Sequence, residues 1–266
     1  MLSMRNALWI ILLALVAFAC GESTRPERTD EPKDLREMPD PGADEVDDDA
    51  KRMLLSMSAK LAGFERFAFI ANATQEEILA TGMKLQVHST VHYEVERPGK
   101  FRAEFKGADD DRLLVYDGSS VTLIDRAKKF YATQKAPQTI DATIDMLARE
   151  LEFTLPLSDL LFGDAAKVLL ENAREGSYVG VEQVNGAKAH HLFFSQEGLD
   201  WQIWIADGSN LPVRLVLTYV NFEGAPQYTA DFTDWGIASE FPADHFSRPD
   251  PAGFDLIEFY KPEGEG

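Results

Sequence analysis

From Lys84 to Glu96 the chain alternates between apolar and polar positions, with Ser89 the one interruption of the apolar face. Leu85, Val87, Val91, Tyr93 and Val95 fall on one face, and Lys84, Gln86, His88, Thr90, His92, Glu94 and Glu96 on the other. A period of two sustained over that length predicts a long, half-buried β-strand. Shorter strand-like runs follow at Phe101 to Phe105, Leu113 to Tyr116, Val121 to Ile124 and Phe130 to Ala132. Pro98-Gly99, Gly107, Asp117-Gly118 and Ala127-Lys128 punctuate them as turns. Strands so closely spaced must be antiparallel, because parallel neighbours need crossovers of about a dozen residues.

The period changes in two places. Met53, Leu54, Met57 and Leu61 have helical spacing behind the acidic caps Asp47 to Asp49, predicting a helix over 50–63. Between Thr139 and Ala173 the strand signal stops. Ile140, Ile144, Leu147, Ala148 and Leu151 read as one helix, followed by shorter helical pieces at Leu157 to Leu161 and Val168 to Leu170, broken at Pro156 and Gly163. Strands resume at Tyr178 to Val184, Ala187 to Ser195, Trp201 to Ala206, Val213 to Val220 and Tyr228 to Trp235, with Asn185-Gly186 and Asp207-Gly208 as tight turns. The pattern predicts an α+β fold, a strongly curved antiparallel sheet with helices packed on one face. A β-sandwich is the alternative, but it gives the 139–173 helices no role.

The first nineteen residues are of another kind. Arg5 precedes an unbroken apolar run from Ala7 to Ala19. Such a run makes a helix of roughly 20 Å, short of a hydrocarbon core of about 30 Å, and matches a secretory signal peptide over 1–19. Ala17-Phe18-Ala19-Cys20-Gly21 resembles the lipobox of bacterial lipoproteins, with Ala in place of the preferred Leu and a bulky Phe18. That resemblance implies acylation of Cys20, the only cysteine, and the absence of Asp after it favours the outer membrane. Ordinary cleavage beside an incidental cysteine, giving a soluble periplasmic protein, is the alternative. Gly21 to Asp49 holds twelve acidic residues, four basic ones and four prolines. It reads as a disordered tether between anchor and domain, and 261–266 as a flexible tail.

Across its 266 residues the chain carries 26 Lys and Arg against 45 Asp and Glu, a formal charge of −19. This excludes sequence-independent nucleic-acid binding, which needs cations against phosphates, and charge-driven adhesion to anionic bilayers. A single Cys excludes a disulfide framework. Adjacent His190 and His191 point to opposite faces of a strand and cannot chelate one ion, while His88 and His92 share a face but lie roughly 13 Å apart. Asp109, Asp110 and Asp111 lack the Gly and distal Glu of a calcium loop. No nucleophile elbow, phosphate-binding loop or dinucleotide fingerprint is present. The reading is of a monomeric non-enzyme without metal or cofactor.

Several short strings, in order and spacing, carry a further resemblance. They are Tyr116-Asp117-Gly118 with Thr122-Leu123 and Tyr131-Ala132; Ala136-Pro137 with Ile140-Asp141; Pro156 to Leu161; His190-His191-Leu192; Asp200 to Trp204; Leu211-Pro212 with Arg214; and Pro226 to Thr229. Over residues 50–250 the chain resembles a bacterial family of predicted periplasmic proteins of unknown function, related in fold to the lipoprotein carriers LolA and LolB. The resemblance implies a half-barrel of about eleven strands over a domain of 50–260, with helices on its concave face enclosing an apolar cavity. It brings no catalytic residue and no known ligand. Such a hollow suits a lipid or the acyl chain of a lipoprotein, and Phe101, Phe105, Tyr116, Ile144, Leu147, Trp201 and Ile203 are the candidate cavity residues. The alternatives are a filled interior in an interaction or sensor module that contacts a partner protein, and an enzyme of the cell envelope.

Overall fold

The computed structural model describes residues 45–237 and 240–259. The expected signal peptide, Cys20, most of the tether and the 261–266 tail lie outside them. The ordered domain starts ahead of Ala50. Val46 forms a parallel bridge to Gly176, and Asp47 caps the first helix by accepting the N–H of Asp49 at 2.7 Å. Residues 45–49, read above as the end of the tether, are therefore part of the folded domain.

Helix α1 (Asp48–Ala62) is followed by strands β1 (Arg66–Ile78), β2 (Lys84–Glu96), β3 (Lys100–Gly107), β4 (Asp111–Tyr116), β5 (Ser120–Asp125) and β6 (Phe130–Lys135). The insert comprises α2 (Ile140–Glu150), a 3₁₀ turn (Ser158–Leu161) and α3 (Ala165–Leu170). Then come β7 (Glu175–Val184), β8 (Ala187–Gln196), β9 (Leu199–Ala206), β10 (Pro212–Thr218), β11 (Gln227–Ile237) and the two-residue β12 (Asp255–Leu256). Among the described residues all twelve strands form one sheet in the order β12-β6-β5-β4-β3-β2-β1-β11-β10-β9-β8-β7. A single open, curved sheet replaces the two layers of a sandwich.

That order explains the helical insert. β1 to β6 form one antiparallel meander and β7 to β11 another, joined at the centre by β1 against β11. The chain leaves β6 at one edge and must enter β7 at the other, so residues 136–174 cross the trough. Their apolar side chains, and those of α1, fill the concave face. The resemblance implied about eleven strands; the twelfth is β12, which pairs parallel with β6 and covers that edge. Val46 does the same at β7. Gly176 allows this close approach, since a Cβ there would meet Phe194 ring carbons at 2.6 and 2.7 Å.

β1 is the central strand. Phe67, Phe69, Ala71 and Ala73 face inward, all at most 2% exposed. A bulge opposite Ala68 and Ile70, with Asp234 at φ 53°, returns Trp235 to the inner face of β11. There its ring lies 4.7 Å from that of Phe69. The outer face is polar over β2 and β3, where Arg102 bonds Glu104 at 2.6 Å and Arg66 bonds Glu96 at 3.0 Å. The C-terminal segment crosses this face. Its His245 lies 3.0 Å from Glu94, and Phe254 packs on Leu113, Val115 and Ile124.

Candidate functional site

The concave face is the candidate site. All seven candidate residues point into it and belong to one buried cluster, each at most 6% exposed. They come from different walls. Phe101, Phe105 and Tyr116 stand on β3 and β4, with the Phe101 and Tyr116 rings 5.5 Å apart. Trp201 and Ile203 stand on β9, across four intervening strands, and Trp201 stacks on Phe194 of β8 at 4.1 Å. Ile144 and Leu147 come from α2, which lies over the sheet. In this arrangement the inner wall is covered by protein.

Polar contacts from the sheet to main-chain carbonyls hold that cover in place. Arg97, between β2 and β3, donates to Leu161 O at 2.6 Å and Phe162 O at 3.2 Å. Its guanidinium also lies over the Phe67 ring at 5.4 Å. Burial pulls this group below the ordinary arginine range, partly offset by the carboxylate of Asp141. Tyr93 donates to Pro156 O at 2.7 Å, and Tyr116 to Pro137 O at 2.5 Å. Burial pushes both phenols above their usual range, Tyr93 strongly, so both stay protonated and able to donate. Ser58 of α1 links to α3, accepting from Ala166 N at 3.1 Å and donating to Asp164 at 3.2 Å.

Alternation along β2 places Tyr93 inside, so its position is readable from the pattern. Arg97 is not readable this way. It precedes a proline at a turn, where an arginine reads as solvated, and its acceptors lie more than sixty residues onward.

The histidines lie as strand geometry requires. His190 sits 2.8 Å from the Tyr178 hydroxyl, whereas His191, on the other face, contacts Glu182 at 2.8 Å and Gln202 at 2.9 Å and stacks on Trp204 at 4.1 Å. Among the described residues no three His, Cys, Asp or Glu side chains converge on a common point. Asp110 is engaged by Arg112 at 2.5 and 2.7 Å, and Asp111 by Arg126 at 3.1 Å, which makes this acidic run an ion-paired turn. A shallow groove of about 380 Å³ lies on the outer face, lined by Thr74, His88, Lys106 and Asp231 among others. It is polar and separate from the apolar wall.

Several solved structures are similar to this one. A chain of the Pseudomonas aeruginosa MucA/MucB complex superposes with a TM-score of 0.41 and 15% identity, covering 79% of this chain and 63% of that one. The Mycobacterium tuberculosis lipoprotein LppX gives 0.39 and 13%, covering 73% and 99%. A LolA superfamily protein from Nitrosomonas europaea gives 0.36 and 6%, covering 75% and 97%. No curated protein matches the sequence significantly. The family model described as "Predicted periplasmic protein (DUF2092)" matches residues 50–260, and the chain belongs to that family.

Proposed function

We propose that the protein is a non-enzymatic, periplasm-facing lipoprotein whose concave wall holds the acyl chain of a lipid or lipoprotein, with the helical insert as a displaceable cover. One observation carries this reading: a continuous apolar wall of strands is closed by short pieces of chain instead of a second layer. α2, the 3₁₀ turn and α3 have 11, 4 and 6 residues, lengths at which isolated helices are marginal in water. Their place depends on apolar contact and on the bonds from Arg97, Tyr93 and Tyr116. A guest chain would exchange one apolar surface for another. About fourteen methylenes at roughly 0.8 kcal/mol each give about 11 kcal/mol gross before ordering costs.

A second reading is favoured by the coverage of all seven candidate side chains. In it the interior stays shut and an outer surface contacts a partner protein.

The N-terminal reading completes the proposal. Acylated Cys20 anchors the chain in the outer membrane, and the acidic segment holds the domain clear of it. A chain carrying Cys20→Ala is expected to move from the membrane fraction to the soluble periplasm. Solvent extraction of that purified protein is expected to release about one equivalent of amphiphile. Persistence in the membrane fraction would sink the anchor. A clean extract together with an unchanged melting temperature on adding lipid would leave only the partner-binding reading.

A further inference from the structure

One stretch of the inner wall is built of small side chains. Ala71 and Ala73 of β1, with Ala230 of β11 paired to Ala73, form a floor at most 2% exposed. In register this floor lies between the row of Tyr93, which pairs with Phe69, and the row of Tyr228, which pairs with Gln75. Tyr228 shares the inner face of β11 with Ala230 and Phe232. Its hydroxyl is buried and has no hydrogen-bond partner among the described residues. A buried hydroxyl left unpaired carries its full desolvation penalty, so such groups are nearly always satisfied by something.

The surroundings narrow down what that something is. Tyr219, one residue past the end of β10, neighbours Tyr228, its N–H held by Pro226 O at 3.1 Å. Asp159 of the 3₁₀ turn lies close enough to act on Tyr93 electrostatically, as does Tyr228. Asp159 is exposed, and the protein mass around it pushes its carboxyl upward. No Lys or Arg pairs with it among the described residues. Tyr219 and Tyr228 are likewise held above the usual phenol range by burial and remain neutral donors. The Tyr228 hydroxyl is thus a free donor, it shares the surroundings of Tyr93 with the Asp159 carboxyl, and no cation pairs with that carboxyl among the described residues. Such a site accepts a neutral carbonyl and disfavours a phosphate or free carboxylate.

We infer that Tyr228, with Tyr93 and Asp159, forms the polar end of the ligand site and takes the uncharged ester or amide carbonyl of an acyl group, with the Tyr228 hydroxyl donating to it. The inference deepens the acyl-binding reading and rests on it. Neutral acyl carbonyls occur both in acylated polypeptides and in glycerolipids.

The test uses the purified, delipidated full chain and four probes of equal chain length: a monoacylglycerol, an N-acyl dipeptide amide, the free fatty acid and the alkane. The two neutral carbonyl probes are expected to bind about tenfold more tightly than the acid or the alkane. Tyr228→Phe is expected to remove roughly fivefold to tenfold of that advantage while leaving alkane binding unchanged and the melting temperature of the delipidated chain unchanged or raised. Preference for the dipeptide amide over the glycerol ester would point to acylated polypeptides, and the reverse to glycerolipids. If the alkane binds but Tyr228→Phe leaves the carbonyl preference intact, acyl binding stands and this site falls. A lower melting temperature with unchanged selectivity would show that the hydroxyl serves a structural water, which also overturns the site. If no probe binds, both readings fail.

Discussion

Phe69→Ala is expected to destabilise the domain by about 3–5 kcal/mol, the range for truncating a fully buried phenylalanine. Phe69 is completely buried near the start of β1, the strand where the two meanders meet. Its ring lies 5.2 Å from Tyr93 of the first meander, and 5.8 and 4.7 Å from Phe232 and Trp235 of the second. The cavity would open in the seam joining the halves, where β1 stays paired to β2 through Phe69 and Tyr93 and cannot easily collapse. Urea unfolding followed by tryptophan fluorescence measures the loss. A change below about 1 kcal/mol would mean that this aromatic seam does not hold the halves together.

Arg97→Ala is expected to have the next largest effect, and a more local one. It removes two charge-assisted bonds and leaves the carbonyls of Leu161 and Phe162 without those donors, a loss of about 2–3 kcal/mol. If the insert opens separately from the sheet, that loss appears in the insert alone. Amide exchange across residues 155–170 is expected to quicken by roughly 30- to 150-fold while β1 and β2 keep their protection. Arg97→Lys is expected to recover only part of the difference, because an ammonium cannot reproduce the fork that reaches both carbonyls. A uniform rise in exchange across the whole domain would show that insert and sheet form one cooperative unit.

How far the sequence reaches depends on how far each element is determined locally. β2 is readable from end to end, Lys84 to Glu96, because one of its faces is apolar and the other wet. The three pieces of the insert and the breaks at Pro156 and Gly163 are readable for a similar reason. β1, the most central strand, is the one long strand the pattern does not single out. Phe67, Ala68, Phe69, Ile70 and Ala71 are apolar on both parities, and Gln75, Glu76 and Glu77 are residues that favour helices. β12 has two residues and arises only from its neighbour, so periodicity cannot show it. The candidate wall residues are legible as inward-facing. The coverage of Phe101 or Trp201 by the insert follows from the chain path between the sheet edges, which is a property of topology. The Tyr228 hydroxyl is harder still to read, since a missing partner becomes visible only when every neighbour is in place.

As a displaceable cover, the helices over the trough should give way to an oily guest while the strands beneath stay intact. Hydrogen exchange of the wild-type chain, with and without a saturating monoacylglycerol, tests this most directly. In the presence of the amphiphile α2, the 3₁₀ turn and α3 are expected to lose protection, while β1 to β3 and β8 to β11 retain theirs. Contradiction would come from an insert that exchanges only by global unfolding, at the same free energy as β1, whether or not the amphiphile is present.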